Sequence, residues 1–178
     1  MSETIKRIVI IGPESTGKST LSRRLAAHFE TSFADEYARS YLENLNRPYE
    51  QKDLINIAKG QKAAMAAALE SARNGLVIFD TDLYVLKVWS ESKYNCCDTF
   101  ILEQIAEQQI DFYILTNIDF PWQYDPLREH PEPAMRAHFF KTYLEIVVQS
   151  GVPFFIANGS EQQRFHDSVQ KIEELAFS

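Results

Sequence analysis

An apolar run, a loop bracketed by glycines and a segment with helical spacing follow one another near the start of this 178-residue chain. Residues 5–11 are rich in β-branched side chains, which is typical of a buried strand. After the loop, Leu21, Leu25 and Phe29 recur every four residues, as they would on one face of a helix. A strand that leads through a glycine loop directly into a helix favours an α/β fold.

The loop, residues 12–19, fits the phosphate-binding pattern G-x-x-x-x-G-K-[ST] and is called the phosphate loop below. Its glycines let successive N–H groups converge on an anion, and the following helix adds its positive end. Lys18 is predicted to reach the β- and γ-phosphates of ATP, and Ser19 to bind Mg²⁺. The residues predicted to bind ATP here are Gly12, Glu14, Ser15, Thr16, Gly17, Lys18, Ser19 and Thr20.

Apolar runs alternate with helical segments along the rest of the chain. Strands are predicted near Asp35 and at residues 76–80, 110–116 and 152–157. Helices are predicted from residue 36 towards Arg47-Pro48 and at 51–75, 82–92, 98–109, 134–149 and 161–176. This order predicts a P-loop NTPase three-layer sandwich, a five-stranded parallel sheet with helices on both faces, in one domain of residues 1–178.

A proline-rich segment, residues 117–133, interrupts the alternation and holds four of the seven prolines. It is predicted to be irregular and, because it follows a strand, to be a ligand-binding loop. With the residues after it, it is predicted to form a lid over residues 117–136. Arg128 and Arg136 are expected to close over the transferred phosphate. The alternative for Arg128 is a solvated charge paired with Glu129 or Asp125.

Two acids close or follow the apolar run LVIFD. Asp80 ends that run, where an acid is expected to hold the water shell of the metal, although it could instead cap the next helix. Asp82 is predicted to contact the substrate or a second metal, and capping is an equally good reading.

Composition narrows the function classes. A net charge of −7 and a pI near 5.1 argue against a nucleic-acid partner. The sequence has neither a membrane-span-length apolar stretch nor the features of a signal peptide, so no membrane contact and a cytoplasmic location are expected. The cysteines, Cys96 and Cys97, are adjacent and are expected to be plain thiols.

Five motifs in order resemble the NadR-type ribosylnicotinamide kinases: GPESTGKSTL, ADEYAR at 34–39, IAKGQ at 57–61, FDTD at 79–82 and the segment PWQYDPLR at 121–128. The resemblance implies a nucleoside-kinase-like P-loop domain that uses ATP and Mg²⁺. It also implies transfer of a phosphate to the 5′-hydroxyl of nicotinamide riboside, giving nicotinamide mononucleotide. Since the phosphate loop begins at residue 12, a stand-alone kinase domain is expected.

The cationic ring of such a substrate suits acids and aromatic faces. Glu36 is predicted to accept the hydroxyl proton or hold the ribose, and Arg39 to pair with Glu36 or touch a phosphate. Asp125 is grouped with the substrate residues. The predicted stacking faces are Tyr37, Tyr84, Trp89 and Trp122. Core packing is the alternative for the first three, whereas Trp122 lies in the irregular loop and matches a tryptophan of the family.

Two other functions stay open at the level of sequence. One is a kinase for another nucleoside or metabolite. The other is a regulatory ATPase whose proline-rich loop rearranges for a protein partner. The oligomeric state is not predicted.

Overall fold

The computed structural model describes residues 4–176, so the predicted domain of residues 1–178 extends past this range at both ends. The strands are β1 (Lys6–Ile11), β2 (Phe33–Ala34), β3 (Leu76–Asp80), β4 (Phe112–Thr116) and β5 (Phe154–Ala157). The helices are α1 (Lys18–His28), α2 (Tyr37–Glu43), α3 (Gln51–Glu70), α4 (Leu83–Tyr94), α5 (Thr99–Glu107), α6 (Pro133–Ser150) and α7 (Glu161–Ala176). Among residues 4–176, no helix has both the length and the apolar character needed to span a bilayer.

The strands form one parallel sheet in the order β2-β3-β1-β4-β5. The central strand β1 is buried on both faces, because its side chains alternate between two apolar layers. Ile8 and Ile10 pack with residues of α1 and α7, while Val9 and Ile11 pack in the layer that includes residues of α3 and α6. The predicted sandwich with helices on both faces is therefore confirmed.

A third apolar cluster joins α2, α3, α4 and α5 beyond the edge of the sheet. Its buried members are Ala38, Leu54, Ile57, Ala58, Leu83, Leu86 and Ile101. This cluster packs α2 against α3. Because all strands run the same way, the segments that follow β1, β3 and β4 meet at one edge of the sheet, where open α/β folds bind ligands.

Two helices are shorter than predicted. Helix α2 ends at Glu43, and Arg47 lies beyond it with its guanidinium on Asp53 at 2.7 Å. Helix α3 ends at Glu70, and Gly75 instead supplies a left-handed turn (φ 74°) into β3. Both cysteines are free thiols, as predicted.

Candidate active site

The phosphate loop needs both of its glycines. Gly12 has a φ of 143°, and a Cβ on it would lie 2.5 Å from Thr116 Oγ1 and 2.9 Å from the Thr116 carbonyl oxygen. Gly17, with a φ of 80°, is the N-cap of α1. Ser15 is also left-handed (φ 57°), and alternation of this kind along a loop forms a concave nest of N–H groups. The loop is therefore shaped for an anion by its backbone.

Lys18 begins α1 and folds back so that its Nζ donates to the Pro13 carbonyl oxygen at 2.7 Å. Burial lowers the pKa of this lysine, and the charges of Glu36, Asp80 and Glu14 partly oppose that shift. Three carboxylates thus lie near one ammonium group at the mouth of the phosphate loop. Thr16 is buried, and its hydroxyl bonds to Pro13 and Thr116, so its side chain braces the loop.

Asp80 fits the predicted metal role. Its side chain is 1% exposed, and neither carboxylate oxygen accepts a hydrogen bond of normal geometry from any described residue. Burial, and next the charge of Glu36, raises the pKa of this carboxyl to about 6, although the nearby Ser19 hydroxyl acts in the opposite direction. An unpaired carboxylate beside a hydroxyl is an oxygen set that suits Mg²⁺. Among the described residues no group of three His, Cys, Asp or Glu side chains could hold a metal, so other ligands would come from nucleotide and water.

Asp82 corrects the sequence prediction. Its Oδ1 accepts from the Tyr84 backbone N–H at 2.9 Å, which makes it the N-cap of α4. Its Oδ2 accepts from the Tyr113 hydroxyl at 2.7 Å and from Gln108 Nε2 at 3.0 Å. The carboxylate is buried and both of its oxygens accept hydrogen bonds. The geometry therefore supports the capping role that the sequence left open and not a catalytic one.

The predicted lid, residues 117–136, has no helix or strand up to residue 132 and lies against the phosphate loop. Ser15 Oγ accepts from the Gln123 backbone N–H at 2.8 Å and from Arg128 at 3.3 Å. Arg136 donates to the Phe120 carbonyl at 2.9 Å and to the Ser15 carbonyl at 3.4 Å. Both predicted arginines thus lie at the phosphate loop. Arg128 pairs with neither acid that the sequence offered, since Glu129 bonds to Lys93 and Asp125 to Arg39.

One cleft of about 660 Å³ is lined by the phosphate loop, by Glu36 and by several aromatic side chains. The aromatic residues include Tyr49, Trp89 and Tyr143. The Trp89 indole donates to the Tyr49 hydroxyl at 3.0 Å, with the two rings edge to face. Glu36 is the N-cap residue of α2 and lines the cleft without a hydrogen-bond or ion-pair partner among the described side chains. Thr20 lines the same cleft at its exposed end.

Of the predicted substrate residues, Glu36, Arg39 and Trp89 line the cleft. Tyr37 does not, because its ring packs on α3 so closely that a Cβ on Gly60 would lie 2.0 Å from it. Tyr84 packs against the apolar layer under the sheet. For both tyrosines the structure favours the core-packing alternative.

The two remaining predicted substrate residues belong to the lid. Trp122 lies beside the phosphate loop, with its indole N–H 3.5 Å from Glu14 Oε1. Asp125 pairs with Arg39 at 2.9 Å and caps the Leu127 N–H.

Several cleft residues escaped sequence analysis. Tyr49, Lys93 and Tyr143 line it, but each lies in an ordinary loop or helical pattern without a motif. Arg164 of α7 is 2% exposed and donates to the carbonyl oxygens of Thr16 and Asn117 while stacking on Phe120. It supports the phosphate loop from behind, and no local signal in α7 marks it.

A family described as AAA domain matches residues 7–164. The trifunctional NAD biosynthesis/regulator proteins NadR of Salmonella typhimurium and Escherichia coli are each 27% identical over 176 residues, 96% of this chain and 43% of each relative. The chain thus spans less than half the length of these relatives.

Solved structures show the same fold. A NadR protein in complex with NR superposes with a TM-score of 0.80 at 24% identity, over 97% of this chain and 51% of that one. NadR in complex with NAD and AMP-PNP gives 0.78 at 24% identity, over 98% and 50%. Thymidylate kinase from Candida albicans gives 0.69 at 14% identity, over 98% and 93%. These likenesses confirm the predicted P-loop kinase fold and the resemblance to NadR. Since the matched family covers residues 7–164, nearly the whole described chain, the protein belongs to the AAA domain family.

Proposed function

We propose that this protein is an ATP-dependent kinase that phosphorylates the 5′-hydroxyl of nicotinamide riboside to give nicotinamide mononucleotide. The observation that carries the proposal is that the phosphate loop, Glu36 and the aromatic side chains Tyr49, Trp89 and Tyr143 line one cleft. A phosphate donor and a ring-bearing acceptor can therefore meet at one carboxylate.

On the donor side, the N–H groups of the phosphate loop and the ammonium of Lys18 bind the phosphates of ATP. Ser19 and Asp80 would hold Mg²⁺, which supplies charge neutralisation on the phosphate oxygens when bound. Arg128 donates to Ser15 of the phosphate loop at 3.3 Å, and from there its guanidinium would contact the transferred group. The lid around it keeps water from the γ-phosphate, so that transfer competes with hydrolysis.

On the acceptor side, charge favours a neutral or cationic nucleoside over a nucleotide. Three basic residues line this part of the cleft, but each is paired with an acid: Arg39 with Asp125, Arg47 with Asp53 and Lys93 with Glu129. Glu36 has no such partner among the described residues. An acceptor with a positive ring gains from that carboxylate and from the face of Trp89, whereas the Tyr49 ring already carries Lys93 Nζ at 3.9 Å from its centroid.

The transfer step needs a proton acceptor and an in-line geometry. The 5′-oxygen attacks the γ-phosphorus, the bond to the β-phosphate oxygen breaks and ADP leaves. Glu36 accepts the hydroxyl proton as the new phosphorus–oxygen bond forms. The resemblance to NadR proteins, one of them solved with NR, the usual abbreviation of nicotinamide riboside, supports this acceptor.

The test is ATP consumption by the purified protein with Mg²⁺, with and without nicotinamide riboside, and identification of the product by mass. The panel includes uridine, cytidine, adenosine and the reduced riboside, whose ring is neutral. Nicotinamide mononucleotide is expected from the oxidised riboside, with much slower turnover of the neutral isostere. Lys18→Ala should abolish transfer, whereas Lys141→Ala, a charge removed from the exposed face of α6, should not.

Other outcomes would decide between the alternatives. Product from an ordinary nucleoside and none from the pyridinium riboside would reassign the acceptor. ATP binding with slow hydrolysis that no acceptor stimulates would favour the regulatory ATPase.

A further inference from the structure

Glu14 presents an acid at the tip of a loop built to bind phosphate. Sequence alone placed it among the nucleotide contacts, yet a carboxylate facing phosphates would repel them. Its hydrogen bonds go elsewhere: Oε1 accepts from the His130 backbone N–H at 2.5 Å, and Oε2 from the Glu129 backbone N–H at 3.2 Å. The Trp122 indole N–H lies 3.5 Å from Oε1. All three donors belong to the lid.

The donors are arranged as an anion-binding turn. Consecutive backbone N–H groups that converge on one carboxylate form a small nest, and hydrogen bonds to an ionised acceptor are roughly twice as strong as neutral ones. Any side chain at positions 129 and 130 except proline keeps these donors. The specific partner in this contact is therefore Glu14.

The contact brackets Arg128. On one side of that arginine, Gln123 is bound to Ser15 Oγ at 2.8 Å, and on the other Glu129 and His130 are bound to Glu14. Between them the Arg128 guanidinium donates to the Gln123 carbonyl at 2.7 Å and to Ser15 Oγ at 3.3 Å. Loss of the Glu14 contact would free the lid on the C-terminal side of Arg128, at Glu129 and His130.

We propose that Glu14 is a positioning residue that clamps the lid on the phosphate loop, so that Arg128 stays over the transferred phosphate and water stays out. The role deepens the proposed kinase function and rests on it for its catalytic consequence. Its structural consequence, a closed lid, does not depend on which acceptor is used.

The first test follows the lid directly by limited trypsin digestion, with mass analysis of the cut after Arg128. Glu14→Ala should speed that cut by about tenfold, because a lid that opens more often is cleaved in proportion. Glu14→Gln retains an oxygen acceptor at nearly the same size and should lie between Glu14→Ala and the wild type. Glu132→Ala, which removes an exposed acid at the end of the irregular lid segment, is the matched control and should leave the rate unchanged.

The second test follows the reaction. With a lid that no longer excludes water, Glu14→Ala should lose about tenfold in kcat for transfer with little change in the KM for ATP. Hydrolysis of ATP without acceptor should rise relative to transfer, and Glu14→Gln should recover part of the coupling. A merely structural role would lower both reactions together.

The outcomes separate the two proposals. Wild-type cleavage after Arg128 in a folded Glu14→Ala variant would overturn the clamp. Equal losses of kcat in Glu14→Gln and Glu14→Ala, with the lid still closed in both, would also overturn the clamp. The negative charge of Glu14 would then act on the nucleotide and not on the lid. If Glu14→Ala is cut faster after Arg128 but the wild type phosphorylates no acceptor, the clamp is supported and the proposed kinase function is overturned.

Discussion

Asp80 and Asp82 show how two buried acids in one short segment take different roles. Each is 1% exposed, and burial is the main reason that the pKa of each is raised to about 6. Asp82 is satisfied by three donors, whereas Asp80 accepts none of normal geometry from the described residues. Hydrogen bonding, not burial, distinguishes the structural acid from the one suited to a metal.

Asp80→Asn should stabilise the nucleotide-free protein at neutral pH while abolishing phosphoryl transfer. The folded-state pKa of Asp80 is raised from 3.8 to about 6, so folding favours its protonated form. The contribution of protonated Asp80 to the unfolding free energy is fully present below pH 3.8, the unfolded-state pKa. It is lost as the pH rises through about 6, the folded-state pKa. The wild type should therefore lose on the order of 2 kcal/mol relative to Asp80→Asn between pH 4 and pH 7.5.

Urea unfolding of both proteins in EDTA at several pH values measures this difference. Parallel pH profiles would show that the Asp80 carboxylate is not held unpaired in the fold.

Asp82→Asn should destabilise the protein and leave phosphoryl transfer largely intact. Burial raises the pKa of Asp82 as it does that of Asp80, but three donors hold the Asp82 oxygens and the substitution disturbs them. An amide in its place would turn an NH₂ group towards the donors Gln108 and Tyr113, leaving buried polar groups unsatisfied. We expect a loss of about 1–3 kcal/mol of unfolding free energy with kcat within about threefold of wild type. Denaturant melts and steady-state assays below the melting temperature test this. A loss of kcat by orders of magnitude in a stable variant would restore the catalytic prediction.

At the scale of elements, the phosphate loop is wedged against the end of β4. The Cα of Gly12 faces Thr116, and the hydroxyls of Thr16 and Thr116 share a hydrogen bond of 2.7 Å. Arg164 of α7 holds the same loop through the Thr16 carbonyl at 2.7 Å. The loop is thus shaped before any nucleotide arrives by contacts from two elements that are distant in sequence.

Gly12→Ala should be far more damaging than Gly75→Ala, although both glycines have positive φ. The added methyl at Gly12 would meet Thr116 Oγ1 at 2.5 Å, whereas nothing lies within 4 Å of one at Gly75. The expected losses of unfolding free energy are about 3 kcal/mol or more at Gly12 and about 1 kcal/mol at Gly75. Chemical denaturation of the two variants measures both losses. Equal losses of unfolding free energy would contradict the close contact between Gly12 and Thr116.

At the scale of the whole molecule, the cleft is assembled from both halves of the chain. The phosphate loop, α2 and α4 line it together with the lid and α6. Contacts such as those of Glu14 with the lid and of Glu129 with Lys93 close the cleft across long stretches of sequence. A ligand bound there contacts the phosphate loop, α2, α4, the lid and α6, and should stabilise these elements together.

A non-hydrolysable ATP analogue at about 100 times its dissociation constant should raise the unfolding free energy by about 2.7 kcal/mol in the wild type. Lys18→Ala should show much less stabilisation at the same concentration, because the phosphates lose their ammonium partner. Thermal melts over a range of analogue concentrations measure it. A shift of equal size in both proteins would place the nucleotide elsewhere.

The sequence anticipated the sheet and the phosphate loop because their signals are local. The runs in β1, β3 and β4 are continuous, since both faces of those strands are covered. Gly12 and Gly17 have positive φ, and a glycine in a sequence pattern indicates such a conformation because it lacks a Cβ. Helix α2 ends before the predicted point, and Arg47 beyond it forms an ion pair with Asp53, a contact that periodicity does not record.

The sequence by itself determined the fold class, the phosphate loop and the acid at the end of β3, since strand burial, glycine and chain order are local properties. Only the tertiary structure decided that Asp82 caps a helix, that Tyr37 packs on Gly60 and that Glu14 bonds to the lid. Each of these depends on a partner that the chain brings near by folding. A side chain's type sets what it can bind, and the fold sets which partner is within reach.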